Sequence, residues 1–432
     1  MALQRPILLK LLAPALAFVV VLAVLALVNR SGLPSPAPAG ADLGAPAGST
    51  PELIADLQRA VRADPADTAG YTALGEAYLQ RTRETADPAW NARAERSFAA
   101  ALRRDPRDVG PVVGAATVAL ARHDFREGLR LGERARRLAP QSVRPYPALV
   151  DALVELGRYE AAERTIQRFV DLKPTLASYA RASYYLELTG DVRGAAQAMR
   201  LAVAAGGGAR ENLAYVQALL GDLELQRGHL AAAFGAYRSA LASVPGHGPA
   251  SVGLARLDIA RGHLGAAIAR LRRVSDRLPL PGTIALLADT ELVAGREAAA
   301  RADLQVVRAQ QRLLRASGTR LDVELALFEA SHGDPARAVR IAREVYASAP
   351  SVRSADALGW ALTRAGQPPQ GLAFADRALR TGSNDPLFEL HAGLAADAAG
   401  DSARAARHLR AALRRSAALS PLDVERARKA LG

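Results

Sequence analysis

The chain contains no cysteine, which excludes disulfides, thiolate metal sites, a cysteine nucleophile and a lipid-modified cysteine behind a signal segment. That absence leaves the redox compartment undecided. Lysine is nearly missing as well, confined to Lys10, Lys173 and Lys429, so the formal charge of +13 is carried by arginine. Aromatic residues are only 5% of the chain. A composition dominated by Ala, Leu and Arg suits close-packed helices better than sheets. Catalytic signatures are also missing: no P-loop, no dinucleotide fingerprint behind a strand, and no serine elbow on a strand-turn-helix. Gly206-Gly207-Gly208 has neither the lysine nor the strand that a phosphate loop requires. The expectation is therefore no enzyme, no cofactor and no catalytic residue, although two well-placed carboxylates in a helical cleft are all that acid catalysis needs.

Arginine clusters attract phosphates regardless of base sequence. Here the clusters are dispersed: Arg103-Arg104, Arg134 to Arg137, Arg270 to Arg273 and Arg414-Arg415 recur near the ends of predicted second helices. Cations there complement the helix dipole, and no aromatics interleave with them as single-strand binding requires, so no nucleic-acid partner is expected. The seven histidines include His229 and His263 at equivalent positions behind turn glycines. No acid or second histidine stands at ligand spacing beside them, so no metal site is expected.

What the sequence does contain begins with Leu11 to Val28, an uncharged apolar run that as a helix spans about 27 Å, the thickness of a bilayer core. Residues 1–10 read as a short cytoplasmic N-terminus and 11–28 as a transmembrane helix. Arg5 and Lys10 precede the run and only Arg30 follows closely, a bias that places the rest of the chain outside the cytoplasm. The competing reading is a cleaved signal peptide, whose apolar region is shorter and ends near its small-residue site. The sites available here, Ala37-Pro38-Ala39 and Ala39-Gly40-Ala41, lie well past the run. Residues 29–50, rich in Pro, Ala and Gly, form a linker with a reach on the order of 60 Å.

From Pro51 onward a period near 34 residues appears. Small or packing residues fall at Gly75, Ala116, Val150, Ser183, Gly221, Ala255, Ala288, Ala326, Gly359 and Gly393, and six of the nine intervals between them are 33 or 34 residues. The clearest copy reads Leu220-Gly221, Gly228, Ala233, Tyr237, Ala240, Pro245, and the next reads Leu254-Ala255, Gly262, Ala267, Leu271, Pro279. A small residue in a first helix lets the second approach. A turn glycine at 157, 190, 228, 262, 295, 333, 366 or 400 supplies the left-handed conformation that ends the first helix. Thr82 to Ala92, the triplet at Gly206 and Gln305 to Thr319 interrupt the period. The triplet serves as either a hinge or an ordinary inter-repeat turn. Ser420 to Leu431 opens with Ser and Pro at helix-start positions, so 420–432 reads as a polar capping helix.

Over about Pro51 to Leu419 these residues resemble the tetratricopeptide repeat family. The family's first-helix aromatic is kept as Tyr78, and its closing proline at Pro106, Pro140, Pro174, Pro245, Pro279 and Pro350. The resemblance implies an all-α, right-handed superhelical solenoid of about ten helical hairpins over 51–419. It further implies a scaffold that binds a protein or peptide segment on its concave surface. In a solenoid each repeat is expected to contact only its neighbours, so damage should stay local. An accessory subunit of envelope secretion or polymer assembly, and a solenoid enzyme acting on envelope glycans, are the alternatives. One candidate partner-binding row stands out: Glu224, Asp258, Glu291 and Glu329 occupy the same first-helix position in four successive repeats. Stacked repeats would align them for a basic ligand. The other reading is local pairing, Glu224 with Arg227 and Asp258 with Arg261, three residues apart on a helix.

Overall fold

The computed structural model describes residues 49–432, apart from 86, 88, 207–208 and 317–321. The apolar run over 11–28, nearly all of the linker and two glycines of the triplet lie outside the described residues. Among the described residues no helix is long and apolar enough to cross a membrane, and no strand occurs.

A capping box between Ser49 and Glu52 opens α1 (Thr50–Ala63). Ten hairpins follow: α2 (Thr68–Thr85) with α3 (Ala89–Arg104), α4 (Val109–Ala121) with α5 (Phe125–Leu138), α6 (Tyr146–Glu155) with α7 (Tyr159–Leu172), α8 (Leu176–Leu188) with α9 (Val192–Ala205), and α10 (Arg210–Gln226) with α11 (Leu230–Ser243). The second half continues with α12 (Gly248–Ala260) and α13 (Leu264–Arg277), α14 (Pro281–Val293) and α15 (Glu297–Ala316), α16 (Val323–His332) and α17 (Pro335–Ser348), α18 (Val352–Arg364) and α19 (Pro368–Leu379), and α20 (Pro386–Ala398) and α21 (Ser402–Leu413). A 3-10 turn, Ser416–Ala418, leads into α22 (Pro421–Leu431).

All ten small packing residues are buried. A Cβ at Gly75 would stand 2.5 Å from Phe98, at Gly221 2.4 Å from Tyr237, and at Gly393 2.7 Å from Leu409, each on the second helix of the same hairpin. The hairpins close because there is no side chain at the crossing point. Turn glycines 157, 190, 228, 262, 295, 366 and 400 adopt positive φ as expected. Gly333 does not. Its φ is −121°, because its amide reaches back four residues to Glu329 O, 3.0 Å away, rather than three as at Gly157 or Gly228. In the second hairpin the left-handed position falls to His123, at φ 60°. The interruption over Gln305 to Thr319 includes the end of the 20-residue α15.

The expectation that each repeat touches only its neighbours is corrected by contacts about 193 residues apart in sequence. The Val352 amide donates to Tyr159 Oη at 2.7 Å. Thr381 Oγ1 donates to Leu188 O at 2.6 Å, and Asn384 Nδ2 to Gly190 O at 2.9 Å. A single apolar cluster joins Leu149, Leu153 and Leu188 of repeats three and four to Val352, Ala355 and Phe388 of repeats nine and ten. The small rotation per repeat accumulates until the array curls back onto itself, bringing first helices from its two parts face to face.

The C-terminal helix starts where the sequence places it, with Ser420 Oγ accepting from the Asp423 amide. It covers the last hairpin through Leu419 and Ala427 against Leu390, Leu409 and Ala412. It also does more than cap. The segment contacts α14, and the 3-10 turn before it contacts α10 and α12.

Candidate functional site

The hairpin register fixes which residue faces inward. In a first helix the position immediately after the small packing residue lies at the inner edge of the hairpin rather than at its crossing point. In five successive repeats it carries Asp151, Tyr184, Asp222, Arg256 and Asp289. The residues of this inner row, unlike the predicted one, contact neighbouring first helices, one second helix and, at Arg256, the C-terminal segment. Arg181 Nε and Nη2 clamp Asp151 at 2.8 and 2.7 Å. Tyr184 Oη donates to Glu155 at 3.4 Å, and Tyr237 Oη donates across its own hairpin to Asp222 at 2.7 Å.

Where repeats three and four face repeats eight to ten, two cavities of about 310 and 230 Å3 meet at Arg353. The larger is walled by His123, Asp151, Glu155, Asp322 and Glu324, the smaller by Tyr184, Glu187, Asp356 and Asp385. Arg353, at the start of α18, donates to Glu324 at 2.8 Å. Acids outnumber bases here, and the protein around them withholds the water that would stabilise their charge. Burial, reinforced by Asp385 and Asp222, pushes Glu187 up to about 7. Burial also raises Asp385, Asp222 and Glu155, Asp222 against the opposing Tyr237 hydroxyl and Glu155 against Arg353. Asp222 and Tyr215 keep accessible surface on the inner side of the array. The chamber can hold a cationic group. Among the described residues no cluster of three metal-ligating side chains forms.

The four acids predicted as a row lie elsewhere. Glu224, Glu291 and Glu329 are 5%, 1% and 2% exposed, each inside its hairpin. Glu224 accepts from Arg227 at 2.9 Å and meets His229 Nδ1 at 2.8 Å. Asp258 pairs with Arg270 Nε at 3.1 Å rather than with Arg261, because Arg270 on the second helix lies across from it. Glu291 shares Arg272 with Asp303, at 2.5 and 2.8 Å, and Glu329 lies 3.4 Å from Arg337. Three helix positions separate this row from the small residue, and that is enough to turn it inward toward the second helix. The signal for the inner row was present in the sequence, one residue after each packing position, but only the curl of the array showed which face is enclosed.

Two tetratricopeptide repeat family models match the chain, over residues 148–210 and 224–288. No curated protein matches it by sequence. Similar solved structures include a human IFIT1 dimer with PPP-AAAA (15% identity, covering 73% of each chain, TM-score 0.49). A thermophilic TPR protein of Thermus thermophilus is 20% identical, covering 41% of this chain and 92% of its own, at TM-score 0.37. PilW, a type IV pilus biogenesis factor, is 16% identical, covering 50% and 96%, at TM-score 0.40.

Proposed function

We propose, on the premise that this chain is a tetratricopeptide repeat protein, that it is an interaction scaffold receiving a peptide or protein segment on the face built by its first helices. Repeat arrays bind through surfaces already ordered by folding, so little further ordering cost falls on the complex. One observation carries the choice of face. A segment of the chain itself already lies there, with Arg256 Nη1 of α12 donating to Ala418 O at 3.1 Å. The enclosed acids favour a partner with basic side chains.

Membrane attachment belongs to the same proposal. The apolar run over 11–28 supports an anchor, and Arg5 and Lys10 ahead of it support an extracytoplasmic repeat domain. A reporter active only in the cytoplasm, fused after Gly432, should be silent; activity there would overturn the topology. An accessory role in envelope secretion or polymer assembly is compatible with the same face. The glycan-enzyme alternative draws on Glu187 beside Asp385. A glycan-cleaving activity that is lost in Glu187→Gln would favour that alternative over binding alone.

The scaffold reading is tested with a photo-crosslinking residue placed at Tyr215 on the inner side or at Arg164 on an exposed second helix. A defined adduct at position 215 and none at 164 is expected. Adducts at 164 alone would move binding to the outer face.

A further inference from the structure

The C-terminal segment is held by two surfaces of different chemistry. Toward the last hairpin it is apolar: Leu419 and Ala427 are buried against Leu390, Leu409 and Ala412, with Val424 and Leu431 beside them. Toward the first helices of repeats five to eight the segment packs on α10, α12 and α14, and the ties there are largely polar. Ala417 rests on the cluster around Ala214 and Leu257. Arg256 reaches Ala418 O, and Arg426, paired with Asp423 at 2.9 Å, reaches Ser331 O at 3.4 Å.

Beneath the segment, Asp289 is 6% exposed and its Oδ1 accepts no hydrogen bond. His332 Nε2 lies 3.4 Å from it. A buried carboxylate oxygen without a donor is costly, and it is the group on this face that a better-placed cation or amide would satisfy.

From this geometry we infer that residues 416–431 are an intrinsic occupant of the binding face of repeats five to eight, and that a partner presenting a short basic amphipathic helix binds there by displacing them. The inference rests on the scaffold reading above and names its groove and its partner's chemistry. The occupant shows what the groove accepts: a helix begun by Ser-Pro, with an acid and an arginine three residues apart on the side facing Asp289 and Ser331. Because the segment is covalently attached, its effective concentration is high. A partner must therefore supply what the segment lacks, chiefly a donor for Asp289 Oδ1 in addition to the hydrogen bond that the Ser420 side chain gives this carboxyl. The segment thus masks the groove against weak basic helices.

The test uses the full chain and a fluorescent peptide of residues 416–432 as probe. Ser420→Ala with Arg426→Ala weakens the segment and leaves the groove unaltered. This variant should bind the peptide at least tenfold more tightly than wild type, with faster hydrogen exchange over 421–431 and unchanged exchange elsewhere. If exchange shows that the substitutions fail to release the segment, a protease site introduced after Arg415 opens the groove by cleavage and dilution, and the same gain is expected. Equal peptide binding by wild type and an opened chain, or none by an opened chain, overturns the inference. Crosslinking at Tyr215 that persists in that case leaves the scaffold reading standing; its loss as well would remove both.

Discussion

At the scale of single residues, the turn glycines separate two physical demands that the sequence presents as one. Gly157 and Gly190 have φ of 67° and 86°, and a Cβ there would stand 2.3 Å from Pro350 O and 2.1 Å from Gly382 O. Gly228 and Gly262, both at φ 78°, have nothing within 4 Å of that position. Alanine at 228 or 262 therefore meets only backbone strain, about 1 kcal/mol, whereas at 157 or 190 it also drives apart two distant repeats. Urea denaturation should show a loss at least twofold larger for the second pair; equal losses would mean the inter-repeat contact contributes nothing. Ala233 and Ala267 are fully buried, so leucine at either should cost roughly 1–3 kcal/mol by overpacking. Replacing Glu224, Glu291 and Glu329 together by Gln leaves arginines without their carboxylates and should lower the melting temperature while partner capture survives. A variant that keeps its melt but loses a basic partner would return these acids to recognition.

At the scale of elements, helix boundaries follow local chemistry closely. Asp108, Asp191, Asp385 and Asp401 each accept a backbone amide at the start of their helices, and prolines occupy the first turns of α12, α14, α17, α20 and α22. These signals are local, so they were legible in the sequence. What an element packs against was less so. The helix after Ser420 reads as a cap because it is polar and terminal, yet Arg256 and Arg426 tie its segment to helices far away in the chain. The tie at Tyr159 is equally invisible beforehand. Tyr159→Phe removes the acceptor for the Val352 amide and should cost about 1 kcal/mol. Hydrogen exchange should quicken at Val352 rather than around residue 159 itself; an unchanged Val352 would show that the bond is not formed in solution.

For the whole molecule, closure changes how stability is distributed. An open solenoid melts in nearest-neighbour steps, but the apolar cluster joining repeats three and four to nine and ten couples those units, so they should unfold in one transition. Glu187 and Asp289, each pushed up to about 7 mainly by burial, also give that transition a pH dependence. Both pKa values exceed those of the unfolded chain, so the folded state holds protons more tightly. Their contribution is complete below about pH 4 and is lost as pH rises through about 7. Glu187→Gln with Asp289→Asn should flatten the melting temperature between pH 5 and 8, and a wild-type melt that rises over this range would contradict the assigned burial. The sequence by itself determined the all-helical hairpins, their number, the buried small residues and most left-handed turns, because each depends on interactions within about 34 residues. Tertiary structure alone decided that repeats three and four meet repeats nine and ten, that Asp151, Tyr184, Asp222, Arg256 and Asp289 lie on the inner side, and that the last segment lies on that face. These depend on the rotation between successive repeats, a small angle that no single repeat encodes and that becomes decisive only when summed along the array.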